Sequence, residues 1–249
     1  MEALNFMAAI NLQTQPDQTV LQPVTAPEIP PLRHGDYLTR DEFERRYEAM
    51  PEATKAELIE GRVYMSSPVR AKNHGAPHGK IVYWLVHYEV FTPGVIVFDN
   101  STTRLDGVNE PQPDAQMRID ESLGGQSQIS SDDYIEGPPE LAVEVSSSSA
   151  LHDLKEKKES YRRNGVREYI VWQVQDRRID WFRLEGEEYV TLAPDEDGIL
   201  RSRLFPGLWL DVAALLNGEM AKVLAVAQQG LASTEHATFL ERLKVKKQA

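Results

Sequence analysis

The stretch that most constrains this fold is residues 140–161, where a buried-strand pattern carries an acid and runs into a helix pattern. Leu141, Ala142 and Val143 form a short apolar run of the strand type, and Glu144 falls inside that run. A carboxylate on a buried strand is costly unless a basic side chain or a metal ion pairs with it. The stretch therefore predicts either a structural salt bridge at the end of a strand or a charged functional site.

The helix pattern after this strand presents a lysine. Four serines at 146–149 separate the strand from the helix, in which Asp153, Lys157 and Tyr161 recur at i, i+4 and i+8. This spacing places all three side chains on one face of the helix. Lys157 could then pair with Glu144, either as a salt bridge or as part of a catalytic pair. The stretch by itself leaves both alternatives open.

Composition narrows the class of protein. The chain of 249 residues has a net charge of −12, which argues against non-specific coating of nucleic acid but leaves room for a local basic site. It has no cysteine, which excludes disulfides and thiolate metal sites and predicts a cytoplasmic location. No apolar run approaches the roughly 18–20 residues of a membrane span, and the first residues lack the pattern of a signal peptide.

The chain is predicted to have one main domain with two additions. Residues 1–35 combine several prolines with polar residues and are predicted to form a disordered N-terminal arm. Residues 36–216 are predicted to form the domain, and residues 217–249 a C-terminal helical extension that either packs on the domain or forms a dimer interface.

Hydrophobic periodicity predicts a helix, a hairpin, a helix, strands, a helix and strands, in that order. The predicted elements outside 140–161 are a helix at 39–50, a hairpin at 56–66 that turns at Glu60-Gly61, a helix at 78–91, strands at 95–98, 101–105 and 114–120, a surface loop at 121–139, strands at 169–174, 178–184 and 188–192, and helices at 211–226 and 234–244. This order predicts a mixed α/β (α+β) domain around one central sheet.

Three acids lie where strands are predicted to begin or run. Glu57 starts the hairpin, Asp114 follows Pro113 at the start of a central strand, and Glu144 lies within the next one. If the strands of Asp114 and Glu144 are neighbours, their carboxylates converge at one end of the sheet. Convergent carboxylates suit Mg²⁺ or Mn²⁺, and a nearby lysine can stabilise charge that develops on a phosphate. Each acid alone is more often a solvated or paired residue.

The order of these pieces resembles a known nuclease superfamily. Pro113-Asp114, the strand LAVEVS with Glu144, and the downstream Lys157 resemble the PD-(D/E)xK nucleases, and more closely the Uma2 family of restriction-endonuclease-like proteins. The resemblance extends from about Glu57 to Leu215, through ELIEG, GVREYIVW and FPGLWLDV. It implies a restriction-endonuclease-like core, with a central mixed β-sheet flanked by helices.

The resemblance also implies an activity and a site. The implied activity is a Mg²⁺-dependent (or Mn²⁺-dependent) endonuclease that hydrolyses phosphodiester bonds of nucleic acid, with DNA as the partner. The implied metal ligands are Glu57, Asp114 and Glu144, and Lys157 is the implied catalytic lysine alongside Asp114 and Glu144. A homodimer is compatible with this activity because cutting both strands of a duplex needs two sites.

Several alternatives stay open. In the superfamily pattern the lysine lies two residues after the acid, where this chain has Ser146, and Lys155 and Lys158 flank the lysine chosen here. His74 and His78 could form a metal pair, but a role at a helix start or in packing is favoured because no further histidine or cysteine is near in sequence. The rival functions are a non-catalytic module that binds nucleic acid or protein, and a purely structural role for the acids.

Overall fold

The computed structural model describes residues 28–51, 54–147 and 150–248. The arm predicted over 1–35 falls mainly outside these described residues. Pro31–Ala249 forms one compact unit, and Leu32 is already buried within it.

The order of elements agrees with the sequence prediction. The helices are α1 Arg40–Glu48, α2 Ala76–Val90, α3 Ala150–His152, α4 Lys158–Arg163, α5 Val212–Asn217, α6 Met220–Leu231 and α7 Thr234–Gln248. The strands are β1 Ala56–Ile59, β2 Arg62–Met65, β3 Val95–Asp99, β4 Thr103–Arg104, β5 Ala115–Ile119, β6 Gln128–Ile129, β7 Ile135–Glu136, β8 Leu141–Ser146, β9 Glu168–Gln173, β10 Arg178–Glu185, β11 Glu188–Thr191, β12 Ile199–Arg201 and β13 Trp209–Asp211. Two π-helical segments, Ala71–Gly75 and Asp153–Lys157, lead into α2 and α4.

A six-stranded sheet in the order β11-β10-β9-β8-β5-β3 forms the centre of the domain. β8 and β9 run parallel, and every other pair in this sheet is antiparallel. The parallel pair needs a crossover connection, which the helical residues 150–163 provide. The predicted mixed sheet flanked by helices is therefore confirmed.

Side-chain alternation divides the sheet into two faces. On β8, Leu141, Val143 and Val145 join the main core together with Trp84 and Leu85 of α2. The intervening side chains point to the opposite face. There Ala142 packs with Tyr161 of α4 in a second, smaller cluster. Glu144 and Ser146 have the same parity as Ala142, so the strand directs its acid towards the helix that follows it.

The predicted hairpin and helix stop are present. Glu60 and Gly61 both have positive φ, at 53° and 75°, as the two central residues of a type I′ turn require. Gly165, with φ of 82°, follows the end of α4 as an αL cap. Both turns could be predicted because only glycine and a few other residues adopt this conformation readily.

Two predictions differ from the structure, and one strand pair was not predicted. The predicted surface loop at 121–139 contains β6 and β7, which form a three-stranded sheet with β4 and bury Ile135. The single helix predicted at 211–226 is two helices, because Gly218 adopts φ of 77° and ends α5. The antiparallel pair of β12 and β13 was not predicted, since strands of three residues are too short to show alternation.

Candidate active site

Pairing of β5 with β8 brings two of the predicted acids together. The two strands are antiparallel neighbours, with Ala115 opposite Val143. Asp114 directly precedes Ala115, and its Oδ2 accepts a hydrogen bond of 2.7 Å from the amide of Val145. The carboxylate of Asp114 therefore lies against the residue that follows Glu144 in β8.

Glu57 reaches the same place from the β1–β2 hairpin. Its Oε1 accepts a hydrogen bond of 2.6 Å from the amide of Gln112, which lies just before Pro113 and Asp114. Leu58 also forms a backbone bridge with Glu110, so the hairpin is attached to the segment that leads into β5. Glu57, Asp114 and Glu144 are all buried.

Lys157 joins two of the three acids. It is the last residue of the π-helical segment, and its Nζ lies 2.8 Å from Oε1 of Glu57 and 2.9 Å from Oε1 of Glu144. The hydroxyl of Tyr161, one turn further along, donates to the same Glu144 oxygen at 3.0 Å. The predicted i, i+4 face is thus directed into the site.

Only one of the three neighbouring lysines reaches these acids. Lys155 is exposed, and Nζ of Lys158 lies 3.6 Å from the centroid of the Phe182 ring on another part of the sheet. Lys157 is 4% exposed. Of these three lysines, Lys157 is thus the one that contacts the predicted acids.

Asp153 fixes the start of this helical region. Its Oδ2 accepts a hydrogen bond of 2.5 Å from Oγ of Ser146, and its carbonyl accepts one of 2.9 Å from the hydroxyl of Tyr169. Ser146 stands where the superfamily pattern has its lysine. In this chain Ser146 instead donates a hydrogen bond to Asp153, at the start of the helical segment that ends at Lys157.

Two histidines belong to the surroundings of Asp114. His74 lies with Nε2 3.2 Å from Oδ1 of Asp114 and with Nδ1 2.9 Å from the carbonyl of Val145. Nε2 of His78 lies 2.8 Å from the carbonyl of Asp114 and 2.9 Å from Oδ1 of Asp99. Both residues lie at a helix start, as predicted, but their contacts with Asp114 were not. Their i, i+4 spacing was the only available signal, and it does not identify a partner on a distant strand.

The ionisation of Asp114 and His74 follows from their contact. Burial acts to raise the pKa of Asp114, but the hydrogen bond and charge of His74 and the Val145 amide outweigh it and hold this pKa below its usual range. The carboxylate of Asp114 in turn raises the pKa of His74. Both ring nitrogens of His74 face oxygen acceptors, an arrangement that the doubly protonated imidazolium satisfies best.

The pKa of Lys157 also depends on the carboxylates beside it. Burial disfavours the charged form of Lys157, but the nearby Glu144 and Glu57 outweigh it and raise the pKa of the lysine well above its usual value. Lys157 therefore carries its positive charge at neutral pH and occupies the position between two acids that a bound cation could otherwise take.

The carboxylate oxygens of this site are ligands of the kind that a hard divalent cation binds. Asp114 directly precedes β5, Glu144 lies on the neighbouring strand β8 and Glu57 approaches from the hairpin, and Mg²⁺ and Mn²⁺ favour such oxygen ligands. Within residues 28–51, 54–147 and 150–248, however, no group of three acidic or histidine side chains is already spaced to hold one ion. Binding would require Glu144 or Glu57 to move away from Lys157.

Comparison with solved structures assigns the class of fold. The chain is similar to the crystal structure of a "putative nuclease belonging to DUF820" from Anabaena variabilis ATCC 29413, with a TM-score of 0.53 and 14% identity. The similarity covers 70% of this chain and 96% of that one. The chain therefore shares the fold of that protein.

The sequence itself gives the family. The profile of the Uma2 family, described as "Putative restriction endonuclease", matches residues 40–213, and the chain belongs to this family. The resemblance found in the sequence is thus confirmed, and family and fold together support a nuclease function in general terms. No protein among the curated ones matches the chain. In the part of the chain that the structure describes, no helix is long and apolar enough to cross a membrane.

Proposed function

We propose that this protein is a Mg²⁺-dependent (or Mn²⁺-dependent) endonuclease that hydrolyses phosphodiester bonds of nucleic acid, with DNA as the substrate. The observation that carries the proposal is the position of Lys157, whose ammonium contacts Glu57 and Glu144 on the sheet face that also holds Asp114. Carboxylates can hold a metal ion that activates water, and a lysine beside them can stabilise charge on a phosphate, so this arrangement supports phosphodiester hydrolysis.

Each residue has a role in this proposal. Asp114 and Glu144, with Glu57, would hold the cation through their oxygens. The cation would supply positive charge against the phosphate and lower the pKa of a water molecule. Lys157, released from one acid, would donate hydrogen bonds to that water or to a phosphate oxygen. The water oxygen forms the new bond to phosphorus, one ester bond breaks, and the departing oxygen takes up a proton.

The proposal extends to setting and assembly. A homodimer would bring two such sites to the two strands of a duplex. The absence of cysteine from the whole sequence suits the reducing cytoplasm, which we infer as the location.

A specific observation also favours a second candidate, a non-catalytic module that binds nucleic acid or protein on this fold. The three carboxylates are already satisfied by Lys157, His74 and backbone amides. A protein that only binds its partner could retain this cluster as a structural salt bridge, without any metal.

A cleavage assay on matched variants distinguishes the two candidates. Wild type is incubated with single- and double-stranded DNA and with RNA, in the presence of Mg²⁺ or Mn²⁺. Asp114→Asn, Glu144→Gln and Lys157→Ala are each expected to reduce cleavage by about a hundredfold or more, because each removes charge from the reacting centre. Because these residues also belong to a buried hydrogen-bonded cluster, circular dichroism first establishes that each variant is folded under the assay conditions.

The neighbouring lysines provide the controls. Lys155→Ala and Lys158→Ala each remove one positive charge from the same helical region, as Lys157→Ala does. They should leave cleavage within about twofold of wild type. Calorimetry with Mn²⁺ should show saturable binding that Asp114→Asn weakens. Nucleic acid that binds but stays intact with either metal would reject the nuclease proposal and support the second candidate.

A further inference from the structure

A cluster of aromatic rings and one arginine lies on the surface beside the candidate active site. We call it the aromatic patch, and it comprises His34, Tyr37, Arg62, Tyr64 and His152. The ring of Tyr37 is 73% exposed, and His34 and Arg62 are exposed as well. The proposed catalysis uses none of these residues.

The hairpin connects this patch to the site. Tyr64 of β2 pairs directly with Glu57 of β1 in the antiparallel register. Residues opposed in this way share one face of the hairpin, with Cβ atoms about 5 Å apart. His152 approaches from the other side, since it directly precedes the π-helical segment that ends at Lys157. The aromatic patch therefore borders both the acid and the lysine of the candidate site.

The rings of the patch form a continuous row. The centroid of Tyr64 lies 4.0 Å from that of His152, with 33° between the planes, and 5.5 Å from that of His34. The guanidinium of Arg62 lies 5.9 Å from the centroids of both Tyr37 and Tyr64. The most exposed ring, that of Tyr37, is at the outer end of the row, and the row continues inward to the site.

Arg62 contributes a free positive charge to this row. Among the described residues it forms no ion pair, although the protein as a whole is strongly acidic. Glu156, an acid of the neighbouring helical region, lies 3.3 Å from Nδ1 of His152. An exposed aromatic ring can stack on the face of a base. An unpaired guanidinium beside it can bind the adjacent phosphate.

We propose that the aromatic patch is a stacking platform for an unpaired base of single-stranded nucleic acid, adjacent to the phosphate that the active site addresses. Tyr37 offers its free face to the base, and Arg62 contacts the neighbouring phosphate. Tyr64 and His152 support the row and connect it to Glu57 and Lys157. The proposal rests on the proposed function for its choice of nucleic acid as the partner. A duplex, whose bases are stacked on one another, offers the platform no free base face.

Binding measured without divalent metal tests the platform separately from cleavage. Wild type and variants are titrated in EDTA at low salt with a labelled single-stranded DNA 12-mer, an RNA 12-mer of the same sequence and the corresponding duplex. Tyr37→Ala should weaken single-strand binding by roughly five- to one-hundredfold, which is the typical effect of losing one aromatic stack. Tyr37→Phe should bind within about twofold of wild type, because stacking needs the ring and not the hydroxyl.

Two further variants complete the design. Arg62→Ala should lower the slope of log Kd against log salt by about 0.7, the value for one contact with a single-stranded phosphate. Tyr83, a tyrosine of α2 that is 55% exposed, is the matched control, and Tyr83→Ala should bind like wild type. A 2-aminopurine base in the DNA 12-mer should lose fluorescence on binding to wild type and regain it with Tyr37→Ala.

The outcomes separate the platform from the nuclease. If wild type binds neither 12-mer, binds the duplex as tightly as the single strand, or binds equally with Tyr37→Ala, the platform is rejected, whatever the cleavage assay shows. If single strands bind through Tyr37 but wild type cleaves no nucleic acid with either metal, the platform stands and the nuclease proposal fails. Tyr37 and Arg62 lie on the surface, so these variants test the proposal without threatening the fold.

Discussion

At the scale of single residues, the most consequential feature is the buried cluster of Glu57, Glu144 and Lys157. Two carboxylates share one ammonium out of contact with bulk water, and each buried charge is compensated mainly by the others. Tyr161 and the Gln112 amide complete the hydrogen bonding of the acids. Removing any one member therefore affects folding as well as any activity.

Lys157→Met should destabilise the protein strongly. It leaves two buried carboxylates without their cation, and a loss of about 3–5 kcal/mol in the free energy of unfolding is expected. Adding Glu144→Gln to this variant should restore part of the loss, because one of the unpaired charges is removed. Urea denaturation at neutral pH measures both values. Equal stability of the wild type and Lys157→Met would show that the contacts of Lys157 do not stabilise the fold.

Tyr161→Phe isolates one hydrogen bond of the same cluster. The hydroxyl of Tyr161 donates to Glu144 from a fully buried position, and its loss should cost about 1.5–3 kcal/mol of stability. The same urea experiment provides the measurement. Tyr83→Phe, which removes the hydroxyl of an exposed tyrosine, should change stability by less than about 0.5 kcal/mol.

At the scale of elements, close contacts of the backbone decide how the outer helices pack. Gly230 of α6 lies against the loop between β12 and β13, where a Cβ on Gly230 would be 2.2 Å from the carbonyl oxygen of Gly207. Gly207 itself has φ of 90°. A glycine inside a helix is normally a weakness, but here it allows the loop to reach the helix axis closely.

Two glycine substitutions with opposite expected signs test this packing. Gly230→Ala should destabilise the protein by about 1–3 kcal/mol, because the added methyl group overpacks a backbone contact. Gly79→Ala in α2, where a Cβ would meet nothing within 4 Å, should stabilise it by about 0.5–1 kcal/mol. Thermal and urea unfolding compare the two. Stabilisation by Gly230→Ala would contradict the close approach of α6 and the loop.

Glu110 connects the hairpin to the rest of the domain and gives stability a dependence on pH. Burial, together with the nearby carboxyl group of Glu44, raises the pKa of Glu110 from 4.5 to about 8. Between these two values the folded protein holds a proton that the unfolded chain has lost, so this group makes stability fall as pH rises. Glu110→Gln should remove that contribution.

Unfolding by urea at several pH values measures the effect. Relative to wild type, Glu110→Gln should gain stability as pH rises from about 5 to about 8, because the unfolded wild-type chain releases a proton that the folded protein still holds. Glu48→Gln, at an exposed position of α1, is the matched control and should parallel the wild type. Parallel curves for Glu110→Gln and wild type would show that Glu110 ionises normally in the folded protein.

At the scale of the whole molecule, the last helices belong to the main core. Val223 and Ala227 of α6 and Phe239 and Leu243 of α7 pack in the same cluster as Trp84 of α2. The region predicted as a C-terminal extension thus completes the domain physically, although the family match ends at residue 213.

Truncation tests this dependence. A chain that ends at Asn217 should lose cooperative unfolding, because it exposes the apolar surface that α6 and α7 cover. A chain that ends at Val245 keeps Phe239 and Leu243 and should unfold like wild type. Circular dichroism during thermal unfolding distinguishes the two. A cooperative transition in the shorter chain would show that the rest of the domain folds without α6 and α7.

The sequence by itself determined the order of elements, the mixed sheet and the candidate acids with Lys157, because periodicity, turn glycines and an acid inside a buried strand are local signals. It could not show that His74 contacts Asp114, that Tyr64 opposes Glu57, or that Lys157 already occupies the space between two acids. These contacts join residues far apart in the chain. Only the pairing of strands and the docking of helices decided them, since side-chain distances across a sheet depend on register and packing rather than on local pattern.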